Sequence, residues 1–512
     1  MQREVWSSRS TFILAAIGSA VGLGNAWRFP GLAAKYGGGS FILIYLIAMV
    51  VLGIPLLMME IAVGRKMRQG APGSLRGINK KLEPIGWAAT SNAFVVVTYY
   101  SAILAWVIIM VGGSFKFSGL TGNPEAASKV FPELIQTTWQ IEGTTIPMVC
   151  LIGIVVSWTL IYLCIRNGAK SVDKVIKYIV FIPVVLLALM AIKGLTMNGA
   201  MEGLHKLFVP DLSALYNVHL WIDAVGQVFF SMSIMMCVMF AYGSFLPRDS
   251  NVAVDAMIIG FADMAVSLLS GIVLFTTMSG AGMLDNMTTN GIATAFVIYP
   301  QTIVSLTKIG WVNSIFGIFF YLTLVTLAID SAFSIVQGVS TAISDKFKVS
   351  SKKTIQYVCL VAFVFSLIFV TRAGLAWLDI VDNWTNQYNL ILIGFFECIA
   401  IGWFFNPERV RNEVNKNASK FKVPAWWFNN SIKYFSPTLL IVLFIWNIAT
   451  LFIETNGVYG GFPVWASILG GWLVSFFVLF SGYIINFIIK KKRKDGFVES
   501  SVSWDDVDGV DD

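Results

Sequence analysis

Twelve apolar runs fill this chain from end to end, each long enough to cross a bilayer. A helix needs roughly 20 such residues to span about 30 Å of hydrocarbon. The runs lie at about 11–36, 40–64, 86–114, 146–165, 175–197, 221–246, 253–283, 311–344, 354–371, 375–405, 434–453 and 463–489. The fold class they imply is an all-α membrane protein with 12 transmembrane helices. Composition agrees: 56% of the residues are hydrophobic and 13% charged, against roughly 25% charged in an ordinary soluble domain.

The charges are sorted by side. Of 36 Lys and Arg, 28 lie at the N-terminus, in the loops after spans 2, 4, 6, 8 and 10, or in the C-terminal tail. Seven lie on the other side (Lys35, Lys116, Lys129, Lys193, Lys206, Lys308 and Arg372), and Arg28 lies within a span. The positive-inside rule then predicts that both termini are cytoplasmic, which requires an even number of spans. A multi-pass protein of the plasma (cytoplasmic) membrane is expected. Met1 to Arg9 leads straight into an apolar stretch too long for a signal-peptide core and without a small-residue cleavage site, so the first span is expected to be retained. All five cysteines (Cys150, Cys164, Cys237, Cys359, Cys398) fall inside spans and read as small apolar packing residues, without a disulfide framework.

One membrane domain, residues 1–490, is followed by a cytoplasmic tail, 491–512. The basic run from Lys490 to Lys494 directly follows a span and reads as a stop-transfer signal near anionic headgroups, with no nucleic-acid partner. The acidic end, Asp505 to Asp512, is expected to be disordered. Three longer non-membranous pieces, about 115–145, 198–220 and 284–310, have the length of segments that shape an entrance or lid.

Two spans are interrupted. Span 1 carries Gly18, Gly22 and Gly24, then Asn25, Arg28 and Pro30. Small residues serve close helix packing, but packing does not account for a polar Asn and a charged Arg beside them. Unwinding near Ala20 to Gly24 does, because it frees carbonyls and amides for an ion or polar ligand. Span 6 has a second interruption at Phe229, Phe230, Ser231, Met232 and Ser233. Spans 1 and 6 correspond if spans 1–5 and 6–10 form a 5+5 inverted repeat, and sites of such transporters lie between two interrupted helices. The expected core repeats are about 9–197 and 221–406, with two peripheral helices at about 434–489.

Intramembrane acids are functional candidates, because an ionised carboxylate there is costly unless paired or solvated. Glu60, Asp263, Asp330 and Glu397 qualify, and for Glu60 and Glu397 a structural hydrogen bond to a neighbouring helix is the expected role. Asp330, Ser331 and Leu327 offer a carboxylate, a hydroxyl and a backbone carbonyl toward one point, a share of a hard-cation site. One carboxylate is too little charge for a dehydrated divalent ion, so sodium fits better than calcium. His205 and His219 lie outside the spans, which argues against a His/Cys metal site. No Gly-rich phosphate loop with its lysine is present, so ATP is not the expected energy source.

The runs GSAVGLGNAWRFP (followed by Gly37 to Gly39), GIPLLMMEIAVGR, Tyr99–Tyr100, VGQVFFSMS and TLAIDSAFS, in this order and on these spans, resemble the neurotransmitter:sodium symporter family and, within it, the bacterial amino-acid transporters. The resemblance covers about residues 3–490. It implies two sodium ions. The first would use the Ala20 carbonyl, the Asn25 side chain, Ser231 and Asp263, completed by the substrate's carboxylate; the second would use the carbonyls of Gly18, Val21 and Leu327 with Asp330 and Ser331. It also implies that an amino acid's carboxylate meets Gly24, the Leu23 amide and the Tyr100 hydroxyl. The ammonium would meet carbonyls of Ala20, Phe230 and Ser233, beside Ser231. Val96, Met236, Ile335 and Phe230 would line the side-chain pocket, with Phe230 as lid. Arg28 and Asp382 resemble an outer gate pair, and Arg3 with Asp345 an inner one.

Two departures from the family pattern carry expectations of their own. Relatives continue span 6 with a glycine-containing stretch, where this chain has Ile234, Met235, Met236 and Cys237. Bulk at Met235, if it points inward, narrows the pocket and favours a slim aliphatic substrate, while flexible Met also adapts to larger ones. Asp263 stands where many relatives carry Asn, with Ser267 one turn later in place of an acid found in some bacterial members. Asp263 can supply the negative charge that animal relatives take from chloride, so no chloride requirement is expected. The function implied is not enzymatic. It is sodium-coupled symport of a neutral, hydrophobic amino acid into the cell by alternating access. The alternatives are a sodium- or proton-coupled carrier of another small amine or organic solute, and a non-transporting membrane sensor.

Overall fold

A computed structural model describes residues 4–288, 290–418, 421–493 and 502–507. The described residues are helical, apart from loops and one isolated bridge between Gly38 and Pro210. Ten helices are apolar and long enough to span a bilayer: Gly39–Met67 (span 2), Lys80–Leu120 (3), Met148–Ile165 (4), Ala169–Leu195 (5), Val252–Gly280 (7), Gly310–Phe347 (8), Ser351–Val370 (9), Gly374–Phe404 (10), Ala425–Ile453 (11) and Val464–Lys490 (12). Span 1 is the pair Arg9–Ala20 and Gly24–Lys35, bent by 52°. Span 6 is divided into Val218–Ser231 and Val238–Ser244, each too short to cross alone. The protein is therefore an all-α, multi-pass membrane protein, and its two interrupted spans are those marked by polar residues in the sequence.

Burial separates the helices. In span 3, 72% of the apolar window is buried, against 28% in spans 11 and 12. The outer faces of those two helices present Ile445, Phe452, Phe476, Phe480 and Phe487, an apolar surface suited to lipid. Close backbone approach brings span 2 against the second half of span 6. A Cβ at Gly64 would collide with the Phe240 carbonyl, and one at Gly243 with the Ile61 carbonyl, so both contacts require glycine.

The three longer connecting pieces are structured. They carry the helices Pro124–Ile135, Ala200–Phe208 and Gly291–Ser305 on the face away from the termini. Phe131 and Phe296 stack at 4.4 Å and tie two of these pieces together.

Two expectations change. Glu60 does make a structural bond, accepting the Met235 N–H at 2.6 Å, but neither carboxylate oxygen of Glu397 has a hydrogen-bond partner, although the residue is fully buried. The tail is not disordered over residues 502–507: Trp504–Val507 forms a helical turn, and Trp504 is 3% exposed. An indole that buries its ring recovers the ordering entropy that acidic neighbours alone cannot.

Candidate substrate and cation sites

The first helix of span 1 ends because Val21 turns extended, at φ −77° and ψ 96°. The amides set free are met by side chains: Gly22 N–H donates to Asn25 Oδ1 at 2.8 Å, and Leu23 N–H to the Tyr100 hydroxyl at 3.3 Å. The three glycines clear space for other spans. A Cβ at Gly18 would overlap the Asp330 carboxylate, one at Gly22 would lie 2.8 Å from Ser331 Oγ, and one at Gly24 2.7 Å from the Phe230 ring.

Span 6 breaks differently. Ser233, Met235 and Cys237 have φ of +50°, +65° and +57°, a region that costs a non-glycine residue of order 1–3 kcal/mol each. Cross-links to neighbouring spans hold the backbone there. Ser233 Oγ–H donates to the Ser19 carbonyl at 2.7 Å, the Met235 amide is taken by Glu60, and Gln227 Nε2–H reaches the Gly24 carbonyl at 3.2 Å. Met235 lodges its thioether against Gly394 of span 10, where a Cβ would overlap it. It is absent from the walls of the cavity beside Tyr100 and lines a small adjoining void with Arg28, Phe230 and Gln387.

Asn25, Ser231 and Asp263, expected to share one cation, do converge. Asn25 Nδ2–H donates to Ser231 Oγ at 2.9 Å and to Asp263 Oδ1 at 2.7 Å, and Ser231 Oγ–H donates to Asp263 at 2.7 Å. Ala20, the last residue of the first helix, is buried at the same break, where a terminal carbonyl has no helical partner. Two further residues belong to the cluster. The Tyr45 hydroxyl donates to Asp263 Oδ2 at 2.8 Å, and Ser267 Oγ accepts from Asn25 at 2.8 Å. Tyr45 was not singled out in the sequence, where its only signal is a hydroxyl in an apolar run. The Asp263 carboxylate thus accepts hydrogen bonds from neutral side chains of spans 1, 2 and 6.

The second expected set also converges. Asp330 is 1% exposed, and neither carboxylate oxygen has a hydrogen-bond partner. It faces a void of about 20 Å³ lined also by Ile17, Gly18, Val21 and Leu327 and by the apolar Ile179, Val180, Pro183 and Val184 of span 5, room for one water-sized occupant. Ser331 Oγ lies 3.3 Å from the Leu327 carbonyl and 3.4 Å from that of Ser19. A buried carboxylate without a partner is expensive. A monovalent cation in this void, held by oxygens alone, would relieve that cost.

A cavity of about 410 Å³ opens toward the face away from the termini and is walled by Leu23, Arg28, Tyr99, Tyr100, Phe230 and Asp382, among others. Arg28 lies over the Phe230 ring at 5.3 Å, and Asp382 accepts from Asn386 at 2.8 Å. The expected outer pair thus faces one space without forming an ion pair, which leaves the cavity open. Val96, Met236 and Ile335 are buried and do not line it. On the other face Asp345 accepts the Gly70 amide at 2.8 Å; Arg3, its expected partner, lies outside the described residues.

The model of the sodium:neurotransmitter symporter family matches residues 3–121 and 133–492. An uncharacterized sodium-dependent transporter of Methanocaldococcus jannaschii is 32% identical over 508 residues, spanning 96% of this chain and 98% of that one. The mouse sodium-dependent neutral amino acid transporter B(0)AT3 is 26% identical, across 90% of this chain and 86% of its own length. The crystal structure of MhsT in complex with L-phenylalanine aligns with a TM-score of 0.74 at 26% identity, over 87% of this chain and 99% of that one. With both interrupted spans inside the matched residues, the chain belongs to the sodium:neurotransmitter symporter family and is a sodium-dependent symporter.

Proposed function

We propose that this protein imports a neutral, hydrophobic amino acid together with two sodium ions, by alternating access and without chloride. The observation that carries the proposal is the placement of two oxygen clusters, around Asp263 and around Asp330, on either side of one unwound segment of span 1. Between them, the Leu23 amide and the Tyr100 hydroxyl face the same cavity. A substrate carboxylate bound there meets a half-helix N-terminus, which suits an anion. It would also complete the cluster of Ala20, Asn25, Ser231 and Asp263, so that ion and substrate share ligands and each raises the other's affinity. Phe230, packed at Gly24 beneath Arg28, would close over the substrate as its lid. Val96, Met236 and Ile335 are assigned to the substrate's side chain, with Ala20, Phe230 and Ser233 offering carbonyls to its ammonium.

Chloride independence rests on Asp263, which on this reading supplies the negative charge itself, within a shell of Asn25, Ser231 and Tyr45 donors. The neutral amino acid is supported by the B(0)AT3 relative, a neutral amino acid transporter, and by the phenylalanine bound to MhsT. With both termini cytoplasmic and the potential negative inside, each sodium contributes about 2.3 kcal/mol per 100 mV. Arg28 with Asp382, and Arg3 with Asp345, would then close the outer and inner sides in turn.

One observation favours keeping a second reading, a carrier of another small amine: Asp223, Asp379 and Asp382 all line the cavity. Uptake of a mixed pool of radiolabelled amino acids into proteoliposomes, with and without an inward sodium gradient in chloride-free buffer, tests the proposal. Sodium-driven accumulation of a hydrophobic subset supports it. Accumulation of amines and not of amino acids, or none without chloride, overturns it.

A further inference from the structure

The tail returns to the membrane domain at a specific place. Trp504 packs edge-on to Phe405, at the end of span 10, with ring centroids 5.1 Å apart. Lys66, in the last turn of span 2, lies 4.8 Å over the same indole. Asp505 pairs with Arg409 in the helix Pro407–Asn415, and the Val502 carbonyl lies against Gly77 of the helix Ala71–Ile78. One short segment therefore touches span 2, span 10 and two loop helices on the terminal face. Asp505 meets a basic partner there, while Asp506 accepts the Ser503 amide within the segment.

Span 2 leads from this contact to the start of span 1. Its final turns pack directly on the second half of span 6 through the glycine contacts at Gly64 and Gly243. That half of span 6 in turn holds Trp6: the Trp6 N–H donates to the Phe245 carbonyl and the indole N–H to the Tyr242 carbonyl, both at 3.1 Å. Trp6 is 3% exposed and closes the terminal end of span 1. Contacts from Trp504 to Trp6 are thus continuous through packed helices and have little room to yield.

We propose that residues 502–507 are a strap that stabilises closure of the terminal face, by tying span 2 to span 10 and so holding Trp6 in place. The strap rests on the alternating-access reading above, because it matters only if span 2 moves relative to span 10 during the cycle. Opening of this face must either carry Trp504 off Phe405 or pull Lys66 away from it. Release of the tail would therefore raise the population open to this side.

Hydrogen exchange of the full chain in nanodiscs tests the strap without transport, so its failure is separable from failure of the transport reading. Protection is expected at 502–507 in the wild type. Trp504→Ala should abolish it and speed exchange of the amides from Trp6 to Phe12 about fivefold, the response to a modest loss of local stability. Arg409→Asp should act in the same direction, and Arg409→Asp with Asp505→Arg should restore protection at both places. Exchange at 502–507 as fast as in an unstructured peptide in the wild type overturns the strap. So does unchanged exchange at Trp6 to Phe12 once the tail is released.

Discussion

Replacing Asp330 by Asn should uncouple the protein from sodium without harming its fold. The carboxylate is buried, has no hydrogen-bond partner and faces a void of about 20 Å³. A cation whose charge centre lies about 4 Å away at an effective dielectric near 20 gains about 4 kcal/mol from it. An amide oxygen still coordinates, and the Asn variant no longer buries a bare charge when the ion is absent. Roughly half of the attraction should therefore be felt, about 2 kcal/mol or about 30-fold in sodium affinity. Sodium bound to the folded state alone raises the unfolding midpoint as its concentration passes its Kd. The assay is thus thermal unfolding of the purified protein across a sodium series at constant ionic strength. The sodium-dependent rise should begin about 30-fold higher in Asp330→Asn, while the sodium-free midpoint stays level or climbs. Gly18→Ala leaves the charge in place but drives a methyl into the carboxylate, and should reproduce the lost response. Superimposable curves for wild type and Asp330→Asn would refute the assignment.

Other positions allow sharper contrasts. Asp263→Asn removes the carboxylate that Asn25, Ser231 and Tyr45 donate to; uptake should fall in gluconate and recover in chloride, whereas chloride-stimulated uptake by the wild type would contradict the proposal. Tyr100→Phe deletes the acceptor of the Leu23 amide, and substrate binding should weaken by ~1 kcal/mol, about fivefold, as measured by equilibrium binding. Glu60→Gln keeps an acceptor for the Met235 amide and should be mild, while Glu60→Ala leaves that buried N–H unmet and should cost about 1–3 kcal/mol. Equal melting shifts for the two Glu60 variants would show that the bond does not hold the break of span 6.

Much was legible in the chain itself. Length and apolarity mark twelve runs, because lipid leaves a backbone few options; ten are helices long enough to cross, the first is a bent pair, and the sixth is two short helices. The interruptions were legible because glycine, Asn25 and Arg28 in span 1, and Ser231 and Ser233 in span 6, contradict a lipid-facing helix. Asp263 and Asp330 stood out for the same reason: a charge at that depth needs a partner. None of this depends on which helix lies beside which.

What only the tertiary structure decided depends on neighbours distant in sequence. Tyr45 belongs to the Asp263 cluster because span 2 passes there, and the Met235 thioether reaches span 10 because Gly394 leaves room for it. Glu60 finds a donor and Glu397 does not, though as isolated acids in apolar runs they look alike. The tail gave the plainest contrast. Its acidic composition pointed to disorder, but composition does not record the slot formed by Lys66, Phe405 and Arg409 in which Trp504 is buried. Span and polarity are local properties of the chain and can be counted along it, whereas a contact between helices is set by the packing of both and exists only once they meet.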